Sequence, residues 1–333
     1  MKIIDMHCDT ILELLLHRQR GEQIGLREND LMIDLNKLKQ GGYSVQNFAL
    51  FVDMGDKTMT PFEKVSALID VFKGEMKANS DLIAQVYNTE DIRKNEAEGK
   101  LSALLTVEEG GSCEGKIENL HYLYNAGVRM LTLTWNYPNE LGFPHKRAES
   151  NFYTPETELG LTKTGIEFVE EMERLGMIVD VSHLSDAGFW DVIKNTKKPF
   201  VASHSNARSV CPWTRNMTDE MIRALAEHGG VTGLNYCASF LRDPGNIPID
   251  HSKPVYASVE DIAKHARHIV NVGGIECLGL GSDFDGIPLH PELAGAHEME
   301  KVADALAKYN FTEDEIDKIF YGNVFRLYKE VLG

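Results

Sequence analysis

Positive charge is scarce in this chain, and so are long apolar runs and paired cysteines. Lysine and arginine number 34 against 51 aspartates and glutamates, a formal charge of −17, so nucleic acid and anionic membranes would both be repelled. No stretch of about 18 uncharged apolar residues occurs, and the opening MKIIDMHCDT lacks the sustained apolar core of a secretory signal. The expectation is a cytoplasmic protein that no membrane holds. Cys8, Cys113, Cys211, Cys237 and Cys277 are odd in number and include no CxxC pair, which predicts reduced thiols rather than a disulfide framework. No linker, repeat or low-complexity tract divides the sequence. One domain over residues 1–333 is therefore expected, long enough to bury a sizeable core.

What the chain does contain is a series of short β-branched runs that end on metal-binding side chains. Residues 178–181 and 200–202 run into His183 and His204. Between them, a segment opening on Ser185 carries Trp190, Val192 and Ile193 at helical spacing, so the unit reads as strand, helix, parallel strand. Both imidazoles then lie at the carboxyl edge of one parallel sheet, where α/β folds place their chemistry. Taken singly, each histidine also fits a strand-terminal residue bonded to a loop. Further strands supply companions. In 3–9, IIDMHCD, alternation puts Asp5, His7 and Asp9 on one face and Met6 and Cys8 on the other. His7 and Asp9 form an HxD pair, with Asp5 deeper as a supporting group. The strand 102–108 ends on Glu108, followed by Glu109, Gly110 and Gly111, and the strand 277–283 ends on Asp283.

With further strands at 43–52, 128–135 and 231–237, eight strands alternate with helices. A doubly wound sheet would fit that alternation. A (β/α)8 TIM barrel of the metal-dependent hydrolase type is preferred, because ligands leave the first and the last strand and only a closed ring brings those together. Two long connections, 136–162 and 238–257, are expected at the ligand-bearing rim.

Neutral imidazoles with carboxylates are a zinc set, and two groups sharing one carboxylate predict two zinc ions per chain. Glu108 is the preferred bridge. Glu109 competes for the role, but it lies on the opposite face and Glu108 continues the strand. Two such ions would share a hydroxide that attacks a polarised carbonyl, with Asp283 taking its proton and returning it to the leaving amine. Asp283 also fits a helix cap. Arg215, in PWTRN after the His204 strand, could fork onto a substrate carboxylate or lie on the surface. His265 and His268 fit a solvated helix face, and His145 is within reach of the rim from the long loop.

The ordered motifs DMHCDT, VEEGG, VDVSH, ASHSNARSVCPWTRN, LGLGSDFDG and YGNVFR resemble the renal, or membrane, dipeptidase family of zinc peptidases among the amidohydrolase-like barrels. The resemblance covers almost the whole chain. It implies one zinc on His7, Asp9 and Glu108, a second on Glu108, His183 and His204, Asp283 as acid/base, and Arg215 on the substrate carboxylate. It further implies hydrolysis of dipeptides with a free C-terminus, including those ending in a D-residue. The sequence departs from the family where LTLT is followed by Trp135 and Asn136 rather than by the histidine that often contacts substrate there. Trp135 and Asn136 are accordingly expected at the substrate. Animal members also carry a signal peptide and a lipid anchor signal, neither of which is expected here. The competing activity is a zinc amidohydrolase acting on a non-peptide amide, lactam or ester; a metal-binding protein without turnover is disfavoured by Asp283. A homodimer is left open.

Overall fold

The computed structural model describes residues 1–147, 150–243 and 256–333. Its strands are β1 (Ile3–Asp5), β2 (Tyr43–Phe51), β3 (Ile83–Val86), β4 (Leu101–Glu108), β5 (Met130–Thr132), β6 (Ile178–Asp180), β7 (Val201–Ala202), β8 (Val231–Leu234) and β9 (Leu278–Leu280). Eight of them close a parallel ring in the order β1, β2, β4, β5, β6, β7, β8, β9. Asp5 lies opposite Leu280 where β1 meets β9, and β2 runs beside β4 from Val45–Ser102 to Phe51–Glu108. The expected barrel is therefore present, with helices between its strands.

The ninth strand was not foreseen. β3 lies against Leu101 to Leu104, on the edge of β4 that β5 takes over from Thr106 onward. Its four residues, IAQV, are half-exposed at Ala84 and Gln85, so neither a buried run nor a clear alternation marks it. Most strands are also shorter than their apolar runs. β1 ends regular pairing at Asp5. Beyond it, Met6 packs with Ile4 and Cys8 with the helix-covered core, so strict alternation does not extend to Asp9.

Two apolar layers follow from the ring. The larger lies between the strands and the surrounding helices. The smaller joins early strand residues, Ile4, Val45, Met130, Ile178, Val201 and Val231, to Val324, Leu327, Tyr328 and Val331 of the last helix, Asn323–Val331. That helix closes the amino-terminal end of the ring, and the Tyr328 hydroxyl donates to Asn47 Oδ1 at 2.8 Å. Fully burying each such side chain contributes roughly 1.5–3 kcal/mol, so one end is sealed and only the carboxyl rim is left for chemistry. Helix starts are set locally: Ser185 Oγ accepts from Gly188 N, and Thr60 forms a capping box with Glu63 ahead of Pro61.

The described residues of the segment 136–162 form no helix or strand and are tied down by bridges pairing Gly142 with Leu161 and Pro144 with Leu184. Of the second connection, Ala238–Leu241 is a short helix, and residues 244–255 of it lie outside the described residues.

At the carboxyl rim β7, β8 and β9 approach closely around one carbonyl. A Cβ on Gly233 would lie 2.0 Å from Ser203 O, and one on Gly281 would lie 1.8 Å from it. Because the obstacle is backbone, it cannot swing aside. Gly281→Ala should lower the unfolding free energy by about 3 kcal/mol or more, read from urea denaturation of the metal-free protein. A change below about 1 kcal/mol would mean that the strands can part without cost.

Candidate metal centre

The rim gathers six buried titratable side chains from five strand ends. His7 and Asp9 follow β1, Glu108 ends β4, His183 follows β6, His204 follows β7 and Asp283 follows β9. None is more than 8% exposed. Glu108 lies at the middle of the cluster with its two oxygens facing opposite ways. Oε2 is 3.3 Å from His7 Nε2, while Oε1 is 3.0 Å from His183 Nε2 and 3.6 Å from His204 Nε2. Asp9 Oδ2 is 3.3 Å from His7 Nε2 on the first side. The second side is closed by His183 Nε2 and His204 Nε2, 3.0 Å apart.

His7, Glu108 and His204 also lie mutually within 4.8 Å, as do His7, Asp9 and Asp283. The second of these triplets would make Asp283 a ligand beside His7. Asp283 Oδ1 is 3.8 Å from His7 Nε2, farther than either Asp9 or Glu108, and we therefore place it at the edge of the cluster. Glu109 is engaged elsewhere. Its carboxylate accepts from Gly111 N at 2.7 Å, from Trp135 N at 3.0 Å and from Asn139 Nδ2, which anchors the start of the long loop.

A second tier of polar groups fixes the first. Asp5 Oδ1 accepts from His7 N and Ser282 N at 3.2 and 2.9 Å, stitching β1 to β9. Asp180 does the same between β6 and β7, accepting from Ser182 N and Ser203 N at 2.9 and 2.8 Å. Its other oxygen accepts from Ser203 Oγ, which sits 2.7 Å from His204 Nδ1. A ring nitrogen held in this way leaves Nε2 to face the cluster. Asn235 Nδ2 donates to Asp283 Oδ2 at 2.8 Å. Sequence reasoning missed Asp180, Ser203 and Asn235. An aspartate shortly before two of the three strand-end histidines, as in DMH and DVSH, was the available signal for the first of them.

The cluster is electrostatically crowded. Burial lowers the His7 pKa, but the Glu108 and Asp9 carboxylates outweigh it and raise that pKa well above the ordinary value. Burial holds His183 and His204 well below it, reinforced by Arg215. Burial raises Glu108, against the attraction of His7, and pushes Asp283 up to about 7. His7 Nε2 and Asp9 Oδ1 are buried without a hydrogen-bond partner among the described residues. Buried polar atoms in proteins are mostly paired, and a ring nitrogen and a carboxylate oxygen left unpaired side by side are a donor set that a divalent cation takes. The residues fit a zinc-type ion.

A cavity of about 290 Å³ opens above the cluster, lined among others by Asp9, Glu108, His183, Asp283, Trp135 and Asn136. Phe51 and Phe240 also line it, as do Cys237 and Ile287, none of them anticipated. Arg215 is 4% exposed and does not line the cavity. Its NH1 and NH2 donate to Ser205 Oγ and His204 O, both at 3.1 Å, while Nε has no partner. His145 reaches the site through Asn136. His265 is not on a solvated face as expected; it is buried, accepting from Ala207 N and contacting Leu241 O.

Residues 1–332 match the membrane dipeptidase family, peptidase family M19. The chain belongs to that family. It is 33% identical to an uncharacterized dipeptidase of Schizosaccharomyces pombe over 99% of this chain and 80% of that protein. Among solved structures, a metallo-dipeptidase of family M19 superposes with a TM-score of 0.88 at 27% identity, covering 100% of this chain and 99% of that one. A Rhodobacter sphaeroides metallopeptidase bound to a phosphinate mimic of L-Ala-D-Ala superposes with a TM-score of 0.87 at 26% identity, over 99% of each chain. This M19 chain is thus a metallo-dipeptidase, a hydrolase of peptide bonds. Among its described residues no helix is long and apolar enough to cross a membrane.

Two carboxylates adjacent in sequence should respond differently to neutralisation. Glu108→Gln should lower bound metal at both halves of the cluster. Glu109→Gln should leave metal content unchanged while costing about 1–3 kcal/mol through the lost acceptor. Metal analysis beside thermal melting separates the two outcomes, and the reverse ranking would move the bridge to Glu109.

Proposed function

We propose that this dipeptidase cleaves dipeptides that carry a free C-terminal carboxylate, including L-Xaa-D-Xaa, with two zinc ions held by its rim. The observation that carries this reading is the division of Glu108 between two ligand groups. His7 and Asp9 would complete one site with Oε2, and His183 and His204 the other with Oε1. Bound zinc supplies the Lewis acidity that polarises a carbonyl and makes water a nucleophile near neutral pH. Similarity to the Rhodobacter protein bound to its dipeptide mimic supports the substrate class.

The chain's own groups divide the remaining work. Asp283 lines the cavity and is anchored at Oδ2 by Asn235, so Oδ1 is the oxygen available for proton transfer. From the edge of the cluster this carboxylate would accept a proton from water and return it to the leaving amine. Trp135 forms an apolar wall, edge-on to Phe51 at 4.8 Å between ring centroids, and helps exclude water. Arg215 is proposed to receive the substrate carboxylate through its unpartnered Nε–H, since a buried guanidinium without a carboxylate partner is otherwise costly.

Asp283→Asn should keep its metal and lose about 10² to 10⁴-fold in kcat. A variant at full rate, measured on L-Ala-D-Ala, would remove Asp283 from the mechanism.

Recognition of the carboxylate makes a separate claim on substrate length. A hydrogen bond to a charged group contributes about 1.5–3 kcal/mol, which corresponds to roughly 10 to 150-fold in kcat/KM between a dipeptide and its C-terminal amide. Arg215→Lys keeps the charge but loses the fixed Nε–H donor, so it should retain only part of that preference. Equal rates on dipeptide, amide and tripeptide would favour a broader amidohydrolase instead.

A further inference from the structure

Asn136 opens the long segment after β5 and takes the position beside Trp135 at the cavity wall. Its Oδ1 lies 3.2 Å from His183 Nδ1 and 3.2 Å from His145 Nε2. An amide oxygen cannot donate, so both ring nitrogens must present protons to it. For His183 this leaves Nε2 as the lone-pair nitrogen, the atom that faces Glu108 and His204. For His145 it leaves Nδ1 as the acceptor, 2.7 Å from the Thr214 hydroxyl.

The amide is thereby oriented. With Oδ1 placed between two imidazole N–H groups, the Asn136 NH2 must point away from both rings. It donates to no acceptor among the described residues, whereas the side chain borders the cavity together with Glu108, His183 and Asp283. A donor there rules out the substrate's ammonium group as its partner. Its place one hydrogen bond from a candidate ligand ring puts it beside the reacting centre.

We propose that Asn136 Nδ2–H donates to the oxygen of the scissile carbonyl and holds it more tightly as that oxygen becomes anionic, and that His145 is the positioning residue that sets the amide's orientation. This rests on the dipeptidase reading above. The bond strengthens with charge because a hydrogen bond to an ionised acceptor is roughly twice as strong as one to a neutral acceptor. It should therefore act on the rate more than on substrate binding.

The zinc-loaded enzyme is assayed with L-Ala-D-Ala for kcat and KM, with a phosphinate mimic of that dipeptide for binding, and by metal analysis and thermal melting. Asn136→Ala should lose about 10² to 10³-fold in kcat, keep KM within about threefold, and keep its zinc. Affinity for the phosphinate, whose anionic oxygens stand where the carbonyl oxygen becomes charged, should fall alongside kcat. His145→Phe removes the orienting N–H and should cost about tenfold, with no further loss when added to Asn136→Ala, because the two act through one hydrogen bond. His145→Gln keeps a donor at that place and should recover most of the rate.

Full kcat in Asn136→Ala overturns the proposal. So does a loss of zinc large enough to account for the lost rate, which would make Asn136 a prop for His183. Multiplying losses in the double variant would overturn the part assigned to His145. A wild-type enzyme that neither cleaves dipeptides nor binds the phosphinate defeats the dipeptidase reading and this proposal together, whereas an active wild type with an equally active Asn136→Ala defeats only the donor role.

Discussion

Three carboxylates and three imidazoles share one water-poor rim, and much of the architecture follows from the difficulty of keeping them there. Asp9, Glu108 and Asp283 would repel one another if all were charged, and burial adds to that penalty. Without a cation the cluster balances itself by pulling His7 towards the protonated form and Glu108 and Asp283 towards the neutral one. A divalent ion removes the need for those protons. Metal binding and proton release are therefore coupled in this site.

Such a cluster must be held from behind, since the attraction of His7 for its carboxylates does not offset the burial of all six groups until a cation arrives. Asp5 and Asp180 do this at two seams of the ring, β1 with β9 and β6 with β7, each accepting two backbone N–H groups from neighbouring strand ends. The carboxylates thus fix where the chain leaves β1, β6, β7 and β9, and the histidines are carried by those departures. His183 and Asp283 pay in backbone conformation for their positions, with φ of 67° and 63°. Left-handed conformation is uncommon for residues other than glycine and costs of order 1–3 kcal/mol where sparsely populated. In His183 the strain is opposed by His145 N, which donates to the His183 carbonyl at 2.7 Å.

The gathering of these six side chains at one rim was legible in the sequence because each follows a short apolar run, and parallel strands must deliver their carboxyl ends to one face. Ring closure was legible for the same reason: His7 and Asp283 lie far apart in sequence but could share a site only if the first and last strands met. β3 was not legible. Its existence depends on the free edge left beside the start of β4 until β5 begins, which is a tertiary circumstance with no local signature. Asn235 and Ser203 were hidden differently, since a polar residue beside a strand end looks the same whether it faces solvent or a buried carboxylate. His265 shows the converse. Its helical spacing to His268 suggested a wet face, but the loop after β7 and the short helix Ala238–Leu241 cover it.

The long segment after β5 belongs to the site and is more than a cover over it. Glu109 holds its beginning through Trp135 N and Asn139, His145 ties its middle to His183, and Phe152 O accepts from Thr214 N at 2.8 Å. These anchors come from β4, β6 and the loop after β7, so the segment is bound to the same strand ends that carry Glu108, His183 and His204. A wall fixed in this way cannot move without disturbing the cluster. Near Trp135 the cavity's shape therefore depends on side-chain volume and hydrogen-bond direction as well as on the path of the backbone. In such a wall the proposed donor amide of Asn136 and the flat indole of Trp135 would be effective neighbours: one would direct a polar atom at the reacting centre, and the other would keep water away from it.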